Sequence, residues 1–132
     1  MFLKVLFVSI LMSFSSAFAA DAVVSFQDAP KYYNQTKTVE GTIASTFCDG
    51  QRCFLNFDKD FRKYLSAVIE SADLPKFSKT TDKTAQAVMD KLYMGKKVQI
   101  TGAIIEYKSK DLSKPGRPQI IVKAPTDIKI IN

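Results

Sequence analysis

VEGTI at residues 39–43 and ITGAI at residues 100–104 share one form: an apolar residue, a spacer, Gly, a spacer and Ile. Alternation of this kind has the period of a half-buried strand. It sets Val39, Gly41 and Ile43 on one face, and Val98, Ile100, Gly102 and Ile104 on one face of the longer run KKVQITGAIIEY, residues 96–107. A Gly inside a strand gives up packing and marks a bend, a bulge or a close backbone approach. Two such strands, each opening a hairpin, predict a small, strongly coiled sheet with a half-repeat.

The neighbouring segments fill in the order. CFLNF (53–57), after the turn formers Asp49-Gly50, predicts a second strand and a hairpin with the first. KYLSAVIE (63–70), rich in apolar and β-branched residues, predicts a third. A connection over 72–82 contains Pro75 and Phe77. Ala85, Val88, Met89 and Leu92 then fall at i, i+3, i+4 and i+7, with Asp82 in the first turn and Gly95 placed to end a helix whose stripe faces the core. PQIIVK (118–123) is the fifth strand after the 96–107 run, and TDIKIIN (126–132) can close the sheet. Three strands, a helix and two strands predict an all-β, five-stranded Greek-key barrel of OB type, with the helix between strands three and four plugging one end.

The chain begins MFLKVLFVSILMSFSSAFAA: a Lys, an apolar run, then small residues ending in Ala17-Phe18-Ala19. This is the pattern of a cleaved secretory leader, with the cut after Ala19 or Ala20, and the run is too short and wrongly flanked for a membrane span. The organisation expected is a signal peptide over 1–19, an N-terminal arm over 20–36 carrying Tyr32 and Tyr33 on the domain edge, and one OB domain over 37–132. Export to the periplasm or the medium follows, with no transmembrane segment in the mature chain. Loss of Lys4 leaves 18 basic against 13 acidic residues, a net +5, which favours anionic partners without choosing among them.

Cys48 and Cys53 are the only cysteines, in TFCDGQRCFLNF (46–57). An even count in an exported chain points to a disulfide. Zinc needs about four ligands, and the chain has no His and no further Cys. A thioredoxin-like centre wants two intervening residues, and here there are four. The pair is therefore expected to staple the first hairpin and fix the tip that carries Arg52.

KTVEGTI (37–43), FLNF (54–57), SAVIE (66–70), LYMGKKVQITGAIIEY (92–107) and GRPQIIVKAPTDIKI (116–130) together resemble bacterial OB-fold nucleic-acid-binding-like domains, often exported. The resemblance spans roughly Tyr32 to Ile130 and rests on short, mostly structural pieces. Where the family often has GK before the first strand, this chain has QTK. The resemblance implies the OB fold and a nucleic-acid-binding-like role, but fold alone does not carry function.

The residues argue against catalysis. Without His, acid–base work would fall to scattered carboxylates, Lys or Tyr. Only Asp58 and Asp60 in NFDKDFRK (56–63) form a close acidic pair. A solvated turn offset by Lys59, Arg62 and Lys63 accounts for them better than a cation site does. No nucleophile-elbow, phosphate-loop or zincin signature is present. No cofactor and no metal are expected.

Binding has more support. OB barrels engage extended ligands on the face of strands two and three, clamped by the loops joining strands one to two and four to five. The second of these, KSKDLSKPGR (108–117), sets Lys108, Lys110, Lys114 and Arg117 against Asp111 directly after Tyr107. Cations that track phosphates beside a ring that stacks on bases are what single-stranded DNA or RNA requires. Lys-rich loops also serve simply to keep a domain soluble and guard its edges, and both readings stand. The stacking residues expected are Tyr107, Phe54 and Tyr64, with Arg52, Arg62 and Lys63 nearby. If Leu55 and Phe57 face the core, Phe54 and Asn56 face outward. A bulge-free hairpin pairing the cysteines instead puts Phe47 and Phe54 on the face of Ile43, so both hold only with a bulge. The function expected is that of a monomeric, exported, non-catalytic binder of an extended anionic ligand. The alternative is a protein-interaction module serving another exported protein, and a weaker one is a binder of acidic polysaccharide or lipid head groups.

Overall fold

The computed structural model describes residues 22–77 and 84–131. The expected leader over 1–19, and Asp82 at the expected helix start, lie outside the described residues. The strands are β1 (Val24–Ser25), β2 (Gln35–Thr42), β3 (Ser45–Cys48), β4 (Cys53–Asn56), β5 (Ser66–Ile69), β6 (Lys97–Tyr107), β7 (Arg117–Ile121) and β8 (Ile128–Ile130), with α1 (Ala85–Tyr93) between β5 and β6.

The expected barrel of five strands needs correction. Among the described residues, eight strands form one hydrogen-bonded ladder in the order β1-β2-β6-β7-β5-β4-β3, with β8 on β6, and this ladder does not close into a ring. The extra strands have two sources. The predicted first strand is split into β2 and β3, and the short β1 and β8 add themselves beside β2 and β6. With β2 and β3 taken as halves of one strand, the connectivity is of OB type. The parallel pairing of β5 with β7 supplies the Greek-key crossover, and the remaining pairs among the main strands are antiparallel.

Ile43-Ala44 explains both the split and the open hairpin register. Ile43 N donates to Lys96 O (3.0 Å), and Gly95 N donates to Ile43 O (2.8 Å), so Ile43 still belongs with the β6 side. Ala44 N donates to Asn56 O (2.8 Å), so the next residue already belongs with β4. The chain changes partner within this dipeptide and slips one residue in phase. Val39 and Ile43 are buried, while two residues beyond Ile43 it is Ser45 that lies outward with Phe47, and Thr46 turns to α1. The hairpin therefore takes part of each alternative: Leu55 and Phe57 are core, and Phe47 pairs with Phe54 as the cysteine pairing requires, but on the face opposite Ile43, with Asn56 beside them covered to 5% exposure.

The two strand glycines mark close approaches. A Cβ on Gly41 would lie 2.6 Å from the rings of both Phe26 and Phe57, and a Cβ on Gly102 would run into the backbone carbonyl of Ile121. The core gathers Val39, Ile43, Leu55, Leu65, Ile69, Ile100, Ile104, Ile120 and Val122. On α1, Met89 is buried, and Ala85, Val88 and Leu92 pack against the same core, as the helical stripe predicts. Thr84 caps the helix by accepting from Ala87 N (3.3 Å).

The lead-in segment packs onto this sheet. β1 pairs in parallel with β2, and a 3-10 turn over Phe26–Tyr32 buries Ala29 and stacks Phe26 on Phe57 at 5.4 Å. Tyr32 and Tyr33 pack on the core edge, as expected. Among the described residues, no helix is long and apolar enough to cross a membrane.

Candidate functional site

Register places two rows of side chains side by side on the outer face of β3, β4 and β5. Ser45 lies opposite Asn56, and Asn56 opposite Ser66; two residues along, Phe47 lies opposite Phe54. The first row is polar and joined: Ser66 Oγ donates to Asn56 Oδ1 (2.7 Å), and Asn56 Nδ2 donates to Ser45 Oγ (3.1 Å). The second is aromatic, with ring centroids 6.4 Å apart and planes inclined by 23°. These rows form the floor and one wall of a cleft of about 330 Å³, completed by Thr46, Phe61 and Arg117. Its size lies at the small end of ligand sites.

Two guanidinium groups stand beside this cleft. Arg117 lies over the ring of Tyr107, its cross-strand partner, with Cζ 5.0 Å from the centroid. Arg62 lies over Phe61 at 5.9 Å. Among the described residues neither has a carboxylate within 4.0 Å. Phe47 is 56% exposed, although packing alone would favour burying it, and Phe61 is 45% exposed. Exposed aromatic faces beside uncommitted cations can hold a flat, negatively substituted ligand.

The hairpin tip is fixed in two ways. Cys48 and Cys53 are bonded across the last register position, as expected (Cα–Cα 4.1 Å). Asp49 closes the turn by accepting from Gln51 N (2.9 Å) and Arg52 N (2.8 Å). Those amides, Arg52 first, hold the Asp49 carboxyl below the usual carboxylate range. Loop 108–116 is likewise ordered by Asp111, which accepts from Ser113 Oγ (2.6 Å) and Ser113 N (3.0 Å). The Ser113 hydroxyl, then its N–H, keeps that carboxyl low.

Of the residues the sequence singles out, Phe54 and Arg117 line the cleft, Tyr107 supports Arg117, and Arg62 sits on Phe61. The others lie elsewhere. Arg52, at the hairpin tip, faces Glu70 (3.6 Å), and Lys108 faces Glu106 (3.5 Å). Tyr64 packs edge-on against Phe26 at 5.9 Å, with Lys63 over its ring at 5.2 Å. Lys110 and Lys114 are exposed on the loop, outside the cleft lining. Sequence reasoning did not reach Phe61, Ser45 or Ser66. Phe61 sits in an unpatterned turn, and the outward serines are legible only once the phase slip at Ile43-Ala44 is known. Among the described residues, no three His, Cys, Asp or Glu side chains converge as metal ligands would.

No protein-family model matches the chain, and no curated protein matches it in sequence. Solved structures share its fold. An aspartyl-tRNA synthetase from Entamoeba histolytica aligns at TM-score 0.51 and 16% identity, over 81% of this chain and 20% of that one. An asparaginyl-tRNA synthetase from Pyrococcus horikoshii aligns at 0.51 and 14%, over 83% and 23%. A structure from Leishmania major described as an aspartyl-tRNA synthetase aligns at 0.52 and 11%, over 92% and 23%. The chain thus spans about a fifth to a quarter of these proteins' length, and at such identities the likeness establishes the OB fold alone.

Proposed function

We propose that this OB domain binds single-stranded nucleic acid without catalysis, using the outer face of β3–β5 as its site. The observation that carries the reading is the stacked, half-open pair Phe47–Phe54, standing over a polar floor with Arg117 at the edge. Aromatic platforms take bases of any sequence, and each base stacked contributes about 1–3 kcal/mol. Arg117 and Arg62 meet phosphates, and the exposed Lys110 and Lys114 extend the positive track along loop 108–116. The tRNA synthetases that share the fold are in keeping with this role.

The protein acts outside the cytoplasm in this reading, as a monomer freed of its leader. The Cys48–Cys53 bond supports an oxidising compartment. Its nucleic acid is then DNA or RNA met in the periplasm or the medium, and the likeness to bacterial exported OB domains belongs to the same proposal.

The test is fluorescence anisotropy with labelled single-stranded oligonucleotides across a salt series. Binding that tightens steeply as salt falls is expected. Absence of binding at micromolar protein, or affinity indifferent to salt, overturns the reading. A second reading rests on the three phenylalanines of the cleft, which also suit an apolar side chain of an extended protein segment. Partners captured from periplasm or medium that survive nuclease would favour it.

A further inference from the structure

The floor of the cleft has a hydrogen-bond polarity of its own. An Asn amide is planar and offers two N–H donors and two acceptor lone pairs. In Asn56, one donor is taken on one side by Ser45 Oγ (3.1 Å) and one lone pair on the other by Ser66 Oγ (2.7 Å). Partners on both flanks use the two sites directed sideways along the row. The two sites left, one N–H and one lone pair, point side by side away from the backbone and toward the cleft. Asn56 itself is 5% exposed, so a ligand that covers it must satisfy that pair.

The serines extend the pattern, because both line the cleft with Asn56. Ser66 Oγ spends its proton on Asn56 and shows a lone pair; Ser45 Oγ accepts from Asn56 and keeps its proton to give. Read across the sheet, the floor is acceptor, acceptor, donor, donor. A base with its face against the Phe47–Phe54 wall stands with its edge on this row, since the two rows are neighbours on one face of the sheet, two register positions apart.

We propose, on the footing of the nucleic-acid reading above, that Ser45, Asn56 and Ser66 form a base-selective floor that favours cytosine and guanine over adenine and thymine. The Watson–Crick edge of cytosine runs donor, acceptor, acceptor, and meets Asn56 Oδ1, Asn56 Nδ2 and the Ser45 hydroxyl. That of guanine runs donor, donor, acceptor, and meets Ser66 Oγ, Asn56 Oδ1 and Asn56 Nδ2. Each makes three matches. Adenine has one donor and one acceptor to offer and makes two. Thymine also makes two, and turns its remaining carbonyl toward the acceptor of Ser66. Single-stranded ligands expose these edges, which in a duplex are already paired.

The experiment measures binding of short labelled oligo(dT) strands whose central base is dT, dA, dC or dG. The dC and dG strands are expected to bind about fivefold more tightly than the dT and dA strands, which is the difference of one net hydrogen bond. Ser45→Ala should erase the dC advantage and keep that of dG, and Ser66→Ala should do the reverse. Equal affinity for all four strands, or serine variants that weaken all four alike, overturns the base-selective floor and leaves the nucleic-acid reading intact. Failure of every strand to bind overturns both. Should Ser66→Ala not fold, Ser45→Ala still decides the cytosine half, because Ser45 is only half-buried on the end strand of the ladder.

Discussion

Cys48 and Cys53 face each other at the last register position of the β3–β4 hairpin, one step beyond the stacked Phe47 and Phe54. The bond therefore clamps the end of the strand pair that carries the aromatic wall. A ring this small constrains the unfolded chain by about 2 kcal/mol. Reduction with dithiothreitol, or the Cys48→Ala/Cys53→Ala pair, should lower the melting temperature and weaken oligonucleotide binding while the fold persists. Circular dichroism and anisotropy on the same samples check this. Global unfolding on reduction would show that the staple holds more than the hairpin.

Phe47 separates binding from stability. It is more than half exposed, so Phe47→Ala removes little buried area and costs at most the cross-strand pair, about 1 kcal/mol. Affinity should fall about 5- to 150-fold, the value of one stacked base. Unchanged binding with a normal melting curve would take Phe47, and the wall with it, out of the site.

Arg117 is placed by the ring beneath it. Its guanidinium stacks on Tyr107 and reaches the cleft from the start of β7. Arg117→Ala should reduce the slope of log affinity against log salt by about 1, as expected for one lost phosphate contact. Arg117→Lys keeps the charge but not the planar stack, and should recover most of the slope with lower affinity. A slope unaltered by Arg117→Ala would assign the phosphate contacts elsewhere, with loop 108–116 the next place to substitute.

Strand alternation, the helical stripe and the Gly-bearing strands were legible in the sequence because each rests on local periodicity. Val39, Gly41 and Ile43 with Ile100, Gly102 and Ile104 were enough to give the sheet its faces. The number of strands was not legible, since the split at Ile43-Ala44 arises from a change of hydrogen-bonding partner between β6 and β4, which only tertiary structure shows. The site divides in the same way. Phe54 and Arg117 were found from strand alternation and loop charge. Phe61, Ser45 and Ser66 come together across segments with no common period. Lys108 and Arg52 stood out as cations, and their acidic neighbours Glu106 and Glu70 come from strand pairing and chain proximity that composition does not reveal.

The hairpin tip should respond to acid. Gln51 and Arg52 amides hold the Asp49 carboxyl below its usual range. A depressed folded-state value contributes order that is present above the unfolded value, near 3.9, and is lost as pH falls through the folded one. The amides of Gln51 and Arg52 should therefore stay protected from hydrogen exchange at neutral pH and lose protection only as pH falls beneath the ordinary carboxylate range, through the lowered folded value. Asp49→Ala should remove the protection at every pH, and protection indifferent to this substitution would sink the assignment.

The free edge of β3 is closed by a side chain. The Gln86 amide accepts from Cys48 N (2.8 Å) and donates to Thr46 O (3.3 Å), standing in for the peptide group of a further strand. It is itself held by Thr46 Oγ1 (2.8 Å) and by Asp90 Oδ1 one turn along α1 (3.0 Å). Gln86→Ala leaves a backbone donor and acceptor of β3 without these partners, at a cost of about 1–3 kcal/mol where water cannot replace them. It also exposes a strand edge able to pair with another chain. Chemical denaturation should show the loss of stability, and sedimentation should show self-association that the parent lacks and that rises with concentration. Gln86→Glu keeps the acceptor for Cys48 N but not the donor for Thr46 O, and should fall between the two. If Gln86→Ala is as stable as the parent and sediments identically, the amide is a passive neighbour and the edge is protected by α1 as a whole.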